Sequence, residues 1–191
     1  MRAPTFSRAA CTWPEDEDRA LVARYQGGDR EAFTELVVRY QGPVYNAAFW
    51  IVRKAEDASD ISQTVFLKVA ERIEDYDPQY KFFSWIYRIA INESLNLLRR
   101  KAHEDELDDE GALVGADSVD PQWQLSAAQR TRRVQAALMS MAANDRLVLT
   151  LRHFSECSYQ EIAQILDVGE KTVKSRLFEA RQRLRRLLGD L

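Results

Sequence analysis

The chain has 191 residues, of which 46% are hydrophobic, and its 27 Lys and Arg against 30 Asp and Glu give a formal net charge of -3. No apolar run of about 18 residues occurs, which excludes a membrane-spanning helix, and we expect no secretory signal because the opening residues lack an apolar core. Two distant cysteines exclude a disulfide framework. The spacing of His103, His153 and Cys157 fits no standard zinc pattern, so no metal and no cofactor are expected.

Helical periodicity governs the first half of the chain, where no segment alternates like a strand. Residues 1–14 are predicted to be a loose extension, and residues 15–102 a helical bundle with its own core. Asp29 is a good N-cap for the second helix, while Pro43 is predicted to end that helix and open the third. The predicted helices are Glu15 to Gln26, Asp29 to Gly42, Val44 to Arg53, Glu56 to Ile73 and Phe82 to Lys101.

The long helix from Phe82 to Lys101 combines aromatic residues with a polar stripe. The stripe consists of Arg88, Asn92, Asn96 and Arg99 at i, i+4, i+8 and i+11. Aromatic rings among cations suit unstacked bases, because any base can stack on a ring while the cations hold the phosphates. The aromatic residues at the start of the helix are Phe82, Phe83, Trp85 and Tyr87. The alternative is a core role for the aromatics, favoured for Phe82 and Trp85, with a solvated face for the stripe.

The middle of the chain loses its periodicity and becomes strongly acidic. Residues 103–122 hold eight acidic residues and no Lys or Arg, whereas residues 130–186 hold twelve basic residues against six acidic ones. Gly and Pro break up the remaining apolar residues, so residues 103–122 are predicted to be a flexible linker. Residues 123–191 are predicted to form a second helical domain. Two helices are predicted ahead of its most informative stretch, at Pro121 to Met141 and Asn144 to Phe154.

The stretch from Ser158 to Leu188 has the pattern of a helix-turn-helix. Ser158 and Glu161 form an S-x-x-E capping box, which satisfies the first amide donors of a short helix. Residues 167–169 interrupt the helical period before the second helix begins. The apolar anchors of this motif are predicted at Ile162, Ala163, Ile165, Leu166, Val168, Val173 and Leu177.

The outward face of the second helix carries side chains that can reach phosphates or base edges in a major groove. They are Lys171, Lys174, Ser175, Phe178, Arg181 and Arg185. The pattern therefore predicts a DNA-binding helix, and an ordinary helical hairpin with a solvated basic face is the alternative.

Two motif sets in the chain resemble the ECF sigma factors, the small bacterial transcription initiation factors of the sigma-70 family. The runs GDREAFTELVVRYQGPVY, DASDISQTVFLKV and FFSWIYRIAINESLNLLRRK are similar to their region two, and SYQEIAQIL and TVKSRLFEARQRLR to their region four. The resemblance covers residues 16–101 and 129–188 in the expected order. It implies an all-α fold of two helical domains joined by the acidic linker, and a function in promoter recognition rather than catalysis.

The resemblance also implies roles for individual residues. Asn92 matches the position that helps to capture a base flipped out of the minus-ten strand, which a duplex would hide. Residues expected at the minus-ten element are Arg88, Asn92, Asn96, Arg99, Trp85 and Tyr87. Residues expected at the minus-thirty-five element are Lys171, Thr172, Lys174, Ser175, Phe178, Glu179 and Arg181. Residues expected to bind core RNA polymerase are Asp60, Gln63 and Phe66.

Two positions depart from the family pattern. Thr64 replaces a residue that is often acidic, and Glu179 replaces one that is frequently basic. A carboxylate accepts a hydrogen bond from cytosine but repels phosphate, so Glu179 leaves the base preference of the second helix open.

The partners implied by the resemblance are core RNA polymerase, promoter DNA as duplex and as melted strand, and an anti-sigma factor. The protein itself is expected to act in the cytoplasm without inserting into a membrane. The acidic linker is expected either to mimic RNA inside polymerase or to serve as a plain spacer. A free-standing helix-turn-helix regulator that binds duplex DNA as a dimer is the runner-up function.

Overall fold

The protein is described here by a computed structural model, which covers residues 14–107 and 127–189. Eight α-helices and one short 3₁₀ turn account for most of these residues, and no strand occurs among them. The predicted all-α fold is therefore confirmed. The helices are α1 (Glu15–Gln26), α2 (Arg30–Val52), α3 (Ala55–Arg72), α4 (Phe82–Leu107), α5 (Ala127–Ser140), α6 (Ala143–His153), α7 (Tyr159–Leu166) and α8 (Glu170–Leu188), and the 3₁₀ turn is Ile73–Asp75.

Helix α2 is one continuous helix, so the predicted break at Pro43 was wrong. Its start follows the prediction, because the Asp29 carboxylate accepts hydrogen bonds from the first amides of the helix. The proline removes one backbone hydrogen bond, but buried side chains continue at helical spacing on both sides of it. These buried residues are Leu36, Tyr40, Val44, Ala47 and Ile51. Packing of this uninterrupted stripe against α3 and α4 outweighs the local cost of the proline.

Helix α4 extends to Leu107, beyond the predicted end at Lys101, so residues 103–107 of the predicted linker are helical. The residues after Lys101 lack apolar periodicity, so the pattern did not predict this extension, but no glycine or proline lies between Lys101 and Leu107 to end the helix. The rest of the linker, the predicted helical residues 121–126 and the extension at residues 1–13 lie outside the described ranges.

The helix-turn-helix forms as predicted. The Ser158 amide donates to Glu161 Oε2 at 2.6 Å, and the Glu161 amide donates to Ser158 Oγ at 3.1 Å, which completes the capping box. Asp167 then ends α7 in the left-handed conformation with φ 54°. The residues that pack α7 against α8 and α6 are buried, namely Ile162, Ile165, Val173, Leu177 and Ala180.

The bundle α1–α4 packs directly against the unit α5–α8. Helix α7 contacts α4, and α6 contacts α2. The Trp50 ring stacks parallel on Phe154 across this junction, with the ring centroids 5.9 Å apart. The two units therefore share a continuous apolar interior in this conformation. None of the helices in the described ranges is long and apolar enough to cross a membrane.

Candidate nucleic-acid interface

The polar stripe of α4 lies on the surface, above a buried apolar face. Arg88, Asn92, Asn96 and Arg99 are all exposed. Asn96 Oδ1 accepts a hydrogen bond from Arg99 Nη1 at 3.1 Å, which joins neighbouring members of the stripe. The spacing that predicted a common face is thus realised in the helix, and its side chains offer both hydrogen-bond donors and acceptors.

The aromatic residues at the start of α4 divide between core and surface. Tyr87 is buried, its ring lies 4.1 Å from that of Phe83, and its hydroxyl donates to the Pro43 carbonyl at 3.2 Å. Its assignment to DNA is therefore corrected, because its face of the helix packs on α2. Trp85 is only partly buried and stands against Tyr76 and Phe82, so part of its ring is accessible beside the stripe.

The cations near the start of α4 pair with carboxylates of the helix-turn-helix. Lys81 Nζ lies 2.7 Å from Glu15 Oε1 and 2.9 Å from Glu161 Oε1, and these hydrogen bonds raise the pKa of Lys81. Arg88 Nη2 lies 2.8 Å from Asp167 Oδ2. Sequence reasoning missed both cross-domain pairs. They join positions 79 or more residues apart, and the local pattern carries no signal for such partners.

The outward face of α8 is open to solvent. Its predicted members Lys171, Thr172, Lys174, Ser175, Phe178, Glu179 and Arg181 are all exposed. The Phe178 ring is 64% exposed, which is unusual for a large apolar side chain and suits contact with a thymine methyl group. Lys174 Nζ lies 5.7 Å from the centre of the Tyr159 ring, on which Arg152 also rests at 5.1 Å. Tyr159 thus helps to orient Lys174 outward.

Glu179 and Arg181 make ionic or hydrogen-bonding contacts within the second unit. Glu179 Oε2 lies 3.6 Å from Arg183, which also pairs with Asp145, so the unexpected carboxylate is partly neutralised. Arg181 Nη2 lies 3.3 Å from Nε2 of His153. Burial, with the charge of Arg181 and then of Arg152, lowers the pKa of His153. A neutral imidazole can accept the hydrogen bond from Arg181 and direct that guanidinium along the helix.

The outer face of α3 carries the residues assigned to polymerase. Asp60 and Gln63 are exposed, and Phe66 is partly buried against the core. Leu67 is 66% exposed and shares this face. In the sequence, Leu67 follows Gln63 by four residues and Asp60 by seven, and this helical spacing already indicated that the three side chains share a face. A carboxylate, an amide and an exposed leucine therefore lie together on this face of α3.

The described ranges contain no group of three or more His, Cys, Asp and Glu side chains arranged to hold a metal ion. Cys157 is buried, as expected for a small apolar residue before the capping box, and His153 faces Arg181.

The fold and these surfaces define an all-helical protein with a helix-turn-helix in its second unit, and comparison with known families identifies it further. The family model described as Sigma-70 region 2 matches residues 36–104, and Sigma-70, region 4 matches residues 131–184. The chain is 36% identical over 174 residues to the ECF RNA polymerase sigma-E factor of Haemophilus influenzae, covering 86% of this chain and 92% of that protein. It is 33% identical over 176 residues to that of Escherichia coli, covering 86% and 91% respectively.

Solved structures agree with this relationship. CnrH, in complex with the cytosolic domain of CnrY, superposes with a TM-score of 0.68 at 26% identity, covering 91% of this chain and 97% of CnrH. RpoE of Bartonella quintana, in complex with the anti-sigma factor NepR, has the same fold, with a TM-score of 0.67 at 24% identity and coverage of 82% and 96%. The chain belongs to the ECF sigma factors of the sigma-70 family and is a bacterial transcription initiation factor.

Proposed function

We propose that this sigma factor reads its promoter at two points through two helix faces while a third face holds core RNA polymerase. Residues 15–102 form the domain for polymerase and the minus-ten element, and residues 123–191 the domain for the minus-thirty-five element. Residues 103–122, of which the first five continue α4, form the acidic linker. The observation that supports this division is that α4 in the first unit and α8 in the second each expose a polar face opposite a buried apolar side.

The minus-ten face consists of the exposed stripe on α4 with the accessible edge of Trp85. Asn92 provides a donor and an acceptor for the Watson-Crick edge of an extruded base, and Trp85 provides a surface for stacking. Arg88 and Arg99 hold phosphates on either side, and Asn96 supports Arg99. Tyr87 contributes from the core by fixing α4 against α2 rather than by touching DNA.

The minus-thirty-five face consists of the outward side of α8. Lys171, Lys174 and Arg181 supply positive charge to the backbone, while Thr172, Ser175 and Phe178 meet base edges in the major groove. Glu179 accepts from a cytosine amino group on the same face. Its contact with Arg183 reduces the repulsion that a lone carboxylate would exert on phosphate.

The polymerase-binding face consists of Asp60, Gln63 and Phe66 on α3, to which exposed Leu67 is added. A carboxylate and an amide suit an arginine-bearing helix of the enzyme, and the leucine supplies apolar area. The protein acts without catalysing a reaction of its own, in the cytoplasm, and an anti-sigma factor holds it inactive until a signal arrives. The acidic linker enters polymerase as a mimic of RNA or serves as a plain spacer.

Reconstituted transcription tests this proposal. The chain is mixed with core RNA polymerase and genomic DNA fragments, and the 5′ ends of the transcripts are mapped. We expect starts that share two upstream elements and depend on the added chain. Stable duplex binding without any stimulation of initiation would instead indicate the free-standing regulator.

Reversing one charge tests the polymerase face. Asp60→Arg should weaken association with core polymerase by at least about tenfold, because it places a cation opposite a cationic partner. Co-purification with tagged core enzyme measures this. Asp77→Arg, at an exposed position in the loop before α4, serves as the matched control. Equal binding of Asp60→Arg and wild type would remove α3 from the polymerase interface.

A further inference from the structure

One acidic side chain interrupts the basic outward face of α8. Glu179 follows Phe178 directly and Ser175 by one helical turn, and its side chain is 57% exposed. Its Oε2 lies 3.6 Å from Nη2 of Arg183, which comes one turn later in the helix. A glutamate four residues before a cation is the favourable order for such a pair, because it agrees with the helix dipole. Two long exposed side chains would nevertheless fix each other only weakly.

A second carboxylate anchors Arg183 from behind, on helix α6. Nη1 of Arg183 donates a hydrogen bond to Oδ2 of Asp145, whose side chain is only 13% exposed. Asp145 lies in the first turn of α6, where the positive end of the helix stabilises a carboxylate. Helices α6 and α8 pack directly on each other, which fixes the distance between the two side chains. The guanidinium therefore joins a largely buried carboxylate of α6 to the exposed carboxylate of α8.

This pairing leaves one oxygen of Glu179 as an acceptor on the outward face. Oε2 faces Arg183, so Oε1 is available to a base in the major groove. Cytosine presents an amino donor there, whereas adenine places the N7 acceptor beside its amino group, which repels a carboxylate. A mobile carboxylate would discriminate poorly, because a contact is specific only when its side chain is held in the productive geometry. The arrangement therefore suits selection of cytosine.

We propose that Arg183 is a positioning residue for base selection: anchored on Asp145, it holds the Glu179 carboxylate so that α8 selects a cytosine in the minus-thirty-five element. The inference rests on the proposed function of α8 in duplex recognition. Both terminal nitrogens of Arg183 face carboxylates, so this arginine acts through Glu179 rather than on DNA. The usual role of an arginine on a DNA-binding helix is a phosphate contact, which carries no sequence information. The two roles give different results in binding experiments.

Selection from a library of short random duplexes tests the role of Glu179. The full-length chain, alone and bound to core polymerase, is incubated with the library, and the retained duplexes are sequenced. We expect one position at which wild type prefers cytosine about fivefold or more, the effect of one mismatched base pair. Glu179→Gln should move this preference toward adenine, because an amide pairs with N6 and N7 of that base. A well-defined wild-type site whose base preferences do not change in Glu179→Gln would overturn the proposal.

The variant Arg183→Met distinguishes positioning from a phosphate contact. We expect it to reduce the cytosine preference to about twofold or less, while the preferences at the other positions of the site stay as in wild type. Loss of a phosphate contact would instead weaken binding to all sequences alike and lower the salt slope by about one. Arg186→Met removes the same charge from an exposed position of the same helix and should retain the wild-type preference. A uniform loss of affinity in Arg183→Met, with the cytosine preference intact, would contradict positioning.

A double-mutant cycle tests whether Arg183 acts through Glu179. In Glu179→Ala the acceptor is absent, so adding Arg183→Met should have no further effect on base preference. An equal effect of Arg183→Met in both backgrounds would show that the arginine acts independently. Asp145→Asn keeps an acceptor for Arg183 but loses the charge, so it should reduce the cytosine preference by less than Arg183→Met does. Ala and Met favour helices, and positions 179 and 183 are exposed, so these variants should fold.

The same selection separates this inference from the proposed function. A chain that retains no preferred sequence, alone or with polymerase, would reject the role of α8 in duplex recognition and base selection by Glu179 with it. A chain that selects a defined site and supports initiation, but whose preferences do not depend on Glu179 and Arg183, would reject the inference alone.

Discussion

Helices α4 and α8 both present a polar face of the kind that binds nucleic acid, but their surroundings differ. On α8, Lys171, Ser175 and Phe178 point into solvent, and Lys174 rests on a ring of its own unit. On α4, Arg88 already pairs with a carboxylate from the other unit. The same kind of sequence pattern therefore produces one face whose side chains contact only their own unit and one face whose Arg88 pairs with the other unit. Whether the charged side chains of such a face already have partners depends on tertiary packing, which the pattern on a single helix does not encode.

The largest expected effect concerns Arg146 of α6, which joins the two units and thereby creates this difference. This buried side chain donates to the Trp50 and Ile51 carbonyls at the end of α2 and to the Met141 carbonyl next to the end of α5. Arg146→Met should lower the free energy of unfolding by about 3 kcal/mol, because it leaves buried carbonyls of two helix ends without donors. Urea unfolding followed by circular dichroism measures the change. Arg186→Met, at an exposed position of α8, should stay within about 0.5 kcal/mol of wild type. Equal stability of the two variants would show that the hydrogen bonds of Arg146 at the junction contribute little to the free energy of unfolding.

A second prediction concerns the α4 face. Asn92→Ala should weaken promoter melting by about 1–3 kcal/mol, the value of a good bidentate contact to a base, with a smaller effect on duplex binding. Permanganate reactivity of thymines at a mapped promoter measures melting, and a filter assay measures duplex binding. Gln79→Ala, at an exposed position before α4, is the control. Equal losses in both assays would argue against base capture by Asn92.

The reciprocal prediction concerns the α8 face. Lys174→Ala should weaken duplex binding and lower the slope of log affinity against log salt by about one, because one phosphate contact is lost. Melting of promoters already bound by polymerase should change little. A salt slope equal to that of wild type would place Lys174 away from the backbone. The pair Asn92→Ala and Lys174→Ala thus tests whether the two faces act separately.

The smallest effect concerns the histidine that positions Arg181 on α8. The folded pKa of His153 is lowered, so the folded state binds its proton less readily than the unfolded state, whose pKa is about 6.5. Its stabilising effect is therefore full above about pH 6.5 and is lost as the pH falls through the folded pKa. The urea concentration at the unfolding midpoint should fall more steeply with decreasing pH for wild type than for His153→Gln. Parallel curves would mean that His153 does not titrate differently on folding.

Local sequence signals predicted the helices and their caps well. The capping box at Ser158 and the N-cap at Asp29 form as expected, because these interactions join residues close in sequence. The break at Pro43 was predicted wrongly, since the packing that overrides it comes from α3 and α4. Tyr87 was misplaced for a similar reason: its position beside the polar stripe did not reveal that α2 covers it.

The contacts that distinguish α4 from α8 could not be predicted. Arg146 reads as an ordinary surface arginine in a helix that begins ANDR, and only the fold brings it to the end of α2. Asp167 likewise reads as a turn residue, and its charge acquires a partner only when the second unit packs on α4. Both contacts span a segment with no helical periodicity, across which pattern analysis gives no distance information.

The carboxylate of Glu161 divides its two oxygens between two tasks. Oε2 accepts from the Ser158 amide at the start of α7, and Oε1 binds Lys81 of the other unit. Detachment from Lys81 therefore leaves the capping box complete. The local fold of the helix-turn-helix and its attachment to the first unit therefore depend on different oxygens of one carboxylate.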